Sequence, residues 1–269
     1  MNEMFGFIGT GNMGGALARA AVRALGADKV LLADHNRQLA ETLAAELGCR
    51  AVTNEELAQN CGIIFLGVKP QFLKGMLNDL APTLKAKKEP FCLVSMAAGV
   101  AMADVLTFAG GEYPIIRIMP NTPASVGCGM ILYDASEKVT GEMLELFRKG
   151  MSDAGILDAL PEKLIDAGSA VTGCGPAFVD LFIEALADGG VACGLPRDKA
   201  MVYAAQMVLG SAKLVLESGK HPGQLKDAVC SPGGSTIAGV RALEQNAFRG
   251  TVMEAVDAAF VRTKELGKQ

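Results

Sequence analysis

Tryptophan is absent from this 269-residue chain, histidine occurs twice and tyrosine three times, and aromatic residues make up only 5%. Seven cysteines (49, 61, 92, 128, 174, 193 and 230) are scattered without a Cys-x-x-Cys pair. With so few histidines beside them, neither a metal site nor a disulfide framework is expected. Unpaired thiols fit a reducing compartment, so a cytoplasmic protein is the simplest reading. There is no dense lysine–arginine patch, and 25 basic against 29 acidic residues leave a formal charge of −4. Nucleic acid is thereby excluded as the main partner. Met1, Asn2 and Glu3 supply no basic segment before the first apolar run, so no signal peptide is expected. The most apolar window, 200–216, contains Gln206, Ser211 and Lys213 and is short for a membrane span. No membrane association is expected. Being apolar on nearly every side, that window should instead be buried, within the chain or between subunits. Nor is there a P-loop or a Ser/His/Asp set.

What is abundant is small and apolar. Half the residues are hydrophobic, glycine occurs 32 times, and mean hydropathy is +0.30. The length suits one large or two modest domains. In the first half, short apolar runs alternate with helical patterns. The run 4–8 is followed by Gly9, Gly11 and Gly14 in a G-x-G-x-x-G pattern that opens an alanine-rich helix. In a dinucleotide loop, Gly9 makes the tight turn, Gly11 admits the pyrophosphate and Gly14 lets helix and strand approach. The same pattern also occurs as a turn without a ligand.

A second strand, 29–33, leads to Asp34, where an acidic residue would accept from the adenosine ribose and favour NAD. His35, Asn36 and Arg37 beside it could embrace a 2′-phosphate and favour NADP. The two signals conflict. Further strands are predicted at 49–52, 62–68, 90–94 and 113–118, with 127–133 as a last, edge strand. Helices are predicted at 37–47 and 71–80, with a short one capped by Thr53 or Asn54. Lys69 follows the 62–68 strand, at the end that faces the crevice of an open α/β sheet. Ser95 to Gly99 are small enough to let a nicotinamide lie close.

From Glu137 on no strand pattern is found. Helices are predicted at 137–154, 162–171, 176–192, 196–217, 222–229, 235–245 and 248–266. The fold class is α/β: an N-terminal Rossmann-type doubly wound sheet over 1–158, then an all-helical domain over 159–269. In the helical half, Pro232, Gly233 and Gly234 break the pattern, and Ser235 or Thr236 stands where a helix N-cap is wanted. Such a turn aims unpaired amides at one point, which suits a carboxylate or phosphate. It also reads as a plain joint between helices. The acidic stripe Asp180, Glu184 and Asp188 reads as a solvated face. A nucleotide domain joined to a helical domain is equipped for hydride transfer, in which protein groups mainly orient the substrate.

Several stretches together resemble the pyrroline-5-carboxylate reductase family: Thr172 to Phe178, Ala185 to Pro196, and above all His221 to Asp227 with Ser231 to Thr236. The Gly9–Gly14 loop, Val68 to Pro70, Ala97 to Gly99 and Met119 to Pro123 fit as well, so the likeness spans essentially the whole chain. It implies reduction of L-1-pyrroline-5-carboxylate to L-proline by NADP(H), with NAD(H) as the alternative. It also implies a homodimer through the helical domain, with dimers assembling further into rings such as decamers. Carried over, Ser231, Gly233, Gly234, Ser235 and Thr236 would hold the substrate carboxylate, with the Thr236 hydroxyl next to the ring nitrogen as the catalytic group. Ile8, Gly9, Thr10, Gly11, Asn12 and Met13 would hold the pyrophosphate. Asn54 would meet the adenosine end, beside Asp34, His35, Asn36 and Arg37. Val68, Lys69, Pro70, Met96, Ala97 and Ala98 would line the nicotinamide side, with Asn121 close by and Glu162 near the substrate. The 34–37 segment varies in the family, so coenzyme preference is not inherited. Cys174 and Cys230 stand where relatives often carry a small residue, and both read as structural. Two rival readings remain: a related imine or β-hydroxyacid reductase, and a non-enzymatic dinucleotide sensor.

Overall fold

The computed structural model describes residues 1–266. It divides into two compact units, one of Met1–Cys174 with the end of the last helix from Ala259, the other of Gly175–Ala258. In the first unit the chain alternates as β1 (Phe5–Ile8), α1 (Asn12–Leu25), β2 (Val30–Ala33), α2 (Arg37–Leu47), β3 (Arg50–Ala51), α3 (Asn54–Asn60) and β4 (Ile63–Leu66). It continues with α4 (Pro70–Ala86), β5 (Cys92–Ser95), α5 (Met102–Ala109), β6 (Ile115–Met119), β7 (Gly129–Ala135), α6 (Gly141–Gly150), β8 (Gly155–Ala159) and α7 (Glu162–Thr172). The strands form one sheet in the order β3-β2-β1-β4-β5-β6-β7-β8. β1 to β6 run parallel, and β7 is antiparallel to β6.

Every residue of β1, β2, β4, β5 and β6 is buried. This is why these strands read in the sequence as continuous apolar runs rather than alternating ones. Alternation within them sets the two faces. Phe5, Phe7, Val30, Leu32, Ile63 and Phe65 pack with α1, α2 and α6, and the Phe7 and Phe65 ring centroids lie 4.4 Å apart. Ile8, Leu31, Ala33, Ile64 and Leu66 pack with α3, α4 and α5. Helices on both faces of a parallel sheet make a doubly wound fold. α4 is held by Leu73, Leu77, Leu80 and Leu84, all essentially inaccessible to solvent. Each such leucine contributes roughly 1.5–3 kcal/mol of burial.

Three expectations are corrected. The strand after Cys128 is not the sheet's edge, because β8 pairs with it from Gly155 to Ala159. β8 is short, half exposed and carries Asp158, so its strand state comes from pairing and not from its own pattern. α5 was not foreseen, and α4 runs on through Pro82 to Ala86 instead of stopping at 80. The boundary expected at 158 falls inside β8. By packing, α7 stays with the sheet, its Ile165 buried against Met119 and Leu132.

The second unit comprises α8 (Gly175–Ala192), α9 (Arg197–Ser218), α10 (Pro222–Ala228), α11 (Ser235–Gln245) and most of α12 (Phe248–Leu266). Its own core is small: Ala187, Ala200 and Ala204, with Ile183, Leu186 and Val191 against them. The apolar window 200–216 is not buried in the single chain, for Val202, Leu209 and Leu216 stand 63%, 59% and 78% exposed. By length and composition, Glu162–Ala192 and Arg197–Ser218 are long and apolar enough to cross a membrane. Contiguous apolar surface of this extent is equally the mark of a protein interface.

Candidate active site

Strand order reverses between β2-β1 and β4-β5, the position where open α/β sheets bind ligands beyond their carboxyl ends. There Ile8 pairs with both Ala33 and Leu66, so Gly9, Asp34 and Gly67 emerge side by side. Gly9 has φ +97, and a Cβ on it would lie 2.6 Å from the Gly67 carbonyl. A Cβ on Gly14 would strike the Gly9 oxygen at 1.9 Å. Glycine is required at both positions. Gly11 differs, since its added Cβ would meet nothing within 4 Å. It is the N-cap of α1, whose first turn has no side-chain cap and no acidic residue. Bare amides and the positive helix end therefore open onto empty space, a cradle for phosphate. The cleft in front measures about 770 Å³.

Of the predicted coenzyme residues, Ile8, Gly9, Gly11, Asp34, His35, Asn36, Asn54, Val68 and Lys69 line this cleft. Asn12 and Met13 form the first turn of α1, and Pro70 begins α4. Arg37 lines a neighbouring hollow of about 290 Å³ with Asp34 and Asn54, and its Nε donates to Glu41 at 2.7 Å. Thr10 turns inward. Its amide and hydroxyl both donate to Asp34 Oδ2, at 2.7 and 3.1 Å, and Asn36 N donates to Asp34 Oδ1 at 2.9 Å. Asp34 thus clamps the glycine loop to the end of β2.

Met96, Ala97 and Ala98 follow β5 but do not line the cleft, and Ala97 is buried. Asn121 is also buried. Its Nδ2 donates to Thr172 O at 3.0 Å and its Oδ1 accepts from Met130 N at 2.9 Å, tying α7 to β7. Glu162 is braced in the same way. Its Oε1 accepts from Met102 N at 2.7 Å and from Arg117 Nη1 at 3.4 Å. Arg117, 3% exposed, also donates from Nη2 to Asp166 Oδ1 at 2.6 Å. Arg117 is not among the residues expected at the site, although an arginine inside an otherwise apolar strand run marks it in the sequence.

In the second unit, Gly233 has φ +71, and a Cβ on Gly234 would sit 2.3 Å from Ser231 Oγ. The N-cap of α11 is Gly234, not Ser235 or Thr236 as expected, and no side chain caps the helix. Ser235 and Thr236 instead lie within the first turn, where amides have no intrahelical partner. Among the described residues Thr236 Oγ1 makes no hydrogen bond, and the residue is exposed. His221, earlier in the motif, caps α10: its Nδ1 accepts from Gly223 N at 3.0 Å. All seven cysteines are free. Burial pushes the Cys61 thiol up to about 12, which removes it as a nucleophile at neutral pH.

Two family models match. Residues 4–99 fit the NADP oxidoreductase, coenzyme F420-dependent, model, and residues 162–266 fit the pyrroline-5-carboxylate reductase dimerisation model. A pyrroline-5-carboxylate reductase of Glycine max is 42% identical over 97% of this chain and 95% of its own. That of Escherichia coli is 38% identical with both chains fully covered. The chain belongs to the pyrroline-5-carboxylate reductase family. Solved structures agree. The pyrroline carboxylate reductase of Plasmodium falciparum, determined with NADP bound, superposes with TM-score 0.88 at 35% identity over 98% of each chain. The Coxiella burnetii reductase gives 0.88 at 29% identity over the full length of both. Within the family plan, the sheet unit is the nicotinamide-coenzyme domain, and the exposed helices belong to the region by which these reductases oligomerise.

Proposed function

We propose that this chain reduces L-1-pyrroline-5-carboxylate to L-proline, the last step of proline biosynthesis. Family membership over the whole chain supports the reaction. The observation that carries the site is the uncapped first turn of α11 behind a glycine turn, with the Thr236 hydroxyl unpartnered beside it. Ser231, Gly233, Gly234, Ser235 and Thr236 take the substrate carboxylate through backbone amides, and the helix N-terminus favours its charge. A bound reduced nicotinamide supplies a hydride from C4 to the imine carbon. That carbon is already electrophilic once the nitrogen is protonated, so no protein nucleophile is needed. Thr236 faces the ring nitrogen. A threonine hydroxyl is a weak acid by itself, so its role is to orient the nitrogen or to relay a proton through water.

NADP(H) is the favoured coenzyme, with NAD(H) as the second. Both Asp34 oxygens are already engaged by Thr10 and Asn36, so a ribose 2′-hydroxyl finds a poorer acceptor there. His35, Asn36 and Arg37 follow with cationic and donor groups suited to a 2′-phosphate. Met96, Ala97, Ala98 and Asn121 we assign to the nicotinamide side, and Glu162 to the surroundings of the substrate. By function, 1–158 is the coenzyme part, and 159–269 the substrate and dimerisation part, although α7 packs with the sheet. A homodimer through the helical unit, assembling further to a ring such as a decamer, covers the exposed apolar helices. Seven free thiols suit a cytoplasmic location.

Thr236→Ala tests the loop. Coenzyme binding and thermal midpoint should stay at wild-type values while kcat falls about 100-fold, the range of a lost proton-handling group. The unsubstituted ring 1-pyrroline, which lacks the carboxylate, should show a KM raised by a comparable factor. Wild-type turnover in the variant would remove Thr236 from the site.

A further inference from the structure

The segment 96–101, which joins β5 to α5 and begins with the residues assigned above to the nicotinamide side, is weakly held by its own backbone. The amides of Met96, Ala97 and Val100 reach acceptors only at 3.5, 3.5 and 3.4 Å, beyond the usual hydrogen-bond range. α5 starts behind Ala101, whose side chain caps nothing. A short bond arrives from 60 positions further along the chain: Met102 N donates to Glu162 Oε1 at 2.7 Å. Glu162 can serve as an anchor because it is itself fixed. It opens α7, where its amide donates to Asp134 Oδ2 at 2.6 Å, and Arg117 Nη1 reaches the same Oε1 at 3.4 Å. Arg117 is held in turn by Asp166, one turn on. α7 meets the assigned nicotinamide residues at two further points. Ala98 packs against the Ile165 cluster, and Asn121 Nδ2 donates to Thr172 O at the helix end.

From this placement we infer that Glu162 is a positioning residue: its carboxylate fixes the start of α5, and so holds 96–101 where the nicotinamide ring must lie for hydride transfer. The inference rests on the reductase reading and on the nicotinamide assignment above. A negative side chain is also favoured at a helix start, and Arg117 offsets the cost of placing a carboxylate there. A ring resting on a segment free to shift spends less time within reach of the imine carbon. Turnover then falls while the adenine end of the coenzyme is untouched.

Glu162→Ala and Glu162→Gln in the full-length protein test the role. The glutamine oxygen can still accept from Met102 N, whereas alanine offers no acceptor. Glu162→Ala should lower kcat with NADPH by about tenfold or more, with a larger isotope effect when the nicotinamide C4 carries deuterium. KM for L-1-pyrroline-5-carboxylate should not change. In calorimetry, 2′-phospho-ADP-ribose, which has the adenine half and no nicotinamide, should bind as it does to the wild type, which also shows that the coenzyme unit is folded. Glu162→Gln should restore kcat. Four outcomes overturn the role alone: wild-type kcat in Glu162→Ala, Glu162→Gln as slow as Glu162→Ala, a raised KM with kcat kept, or an equal loss of turnover and fragment binding. The third would make Glu162 a substrate contact and the fourth a purely structural brace. No oxidation of NADPH by the unaltered protein would instead defeat the reductase reading itself.

Discussion

Asp34 shows how a residue can be located from the sequence while its partners stay hidden. The strand-end position of an acidic residue was legible, but its bonds to Thr10 and Asn36 were not. Thr10 lies 24 positions earlier, and the bonds of its amide and hydroxyl to Asp34 exist only once β1 and β2 are paired. Gly14, by contrast, acts through local sterics against the Gly9 oxygen and was readable directly, whereas the contact of Gly9 with Gly67 exists only once β1 and β4 are paired. Thr236 sits between these cases: its motif marked it, but its place inside the helix and not at the cap needed coordinates. The buried thiols allow a test at this scale. Burial raises Cys61 from 9.0 to about 12, and Cys92 likewise from 9.0 to about 12. The folded protein keeps these protons while the unfolded chain loses them above about pH 9, so stability falls as pH rises through that window and is fully retained below it. Each thiol adds about 1.4 kcal/mol per pH unit to the fall. Urea unfolding between pH 8 and 11 should show a shallower decline in Cys61→Ala by about that slope; an unchanged slope would contradict the assignment.

At the scale of elements, α1 and α11 are built alike. Each follows a glycine turn and lacks a side-chain cap, which leaves the amides of its first turn free for an anion. Glycine, proline and helix periodicity carry that information locally, so both helices were legible. β8 and α5 were not. β8 depends on a partner strand and has a mostly exposed pattern. α5 is an eight-residue helix without a side-chain cap, too short to establish a period. The place of α7 was hidden for the same reason, because the groups that hold it come from β6 and β7. Arg117 is nearly inaccessible and pairs with Glu162 and Asp166, while Asp134 Oδ2 accepts from Glu162 N at 2.6 Å. Arg117→Met keeps the bulk but leaves two carboxylates without their cation. It should cost on the order of 2–3 kcal/mol in chemical denaturation. Recovery in the triple variant Arg117→Met, Glu162→Gln, Asp166→Asn would show that the lost pairing is the cause; an unaffected single variant would show that the brace is idle.

The whole molecule is unevenly finished. The sheet unit closes its own core, whereas the helical unit leaves Leu181, Val202, Tyr203, Leu209 and Leu216 in solvent. Hydropathy alone indicated a helix needing cover and could not say whether the chain or a second copy supplies it. Membership of a family with a dimerisation region answers in favour of another copy. Sedimentation should find at least a dimer, and Val202→Lys with Leu209→Lys should give a lighter species with reduced turnover. A wild-type monomer would contradict the interface.

The reaction itself is measured by following the nicotinamide absorbance of NADPH, and separately of NADH, when L-1-pyrroline-5-carboxylate is added to the purified protein, with L-proline quantified at the end. Oxidation of coenzyme in a 1:1 ratio to L-proline formed is expected, faster with NADPH. Oxidation of neither coenzyme, or oxidation without L-proline, would contradict it.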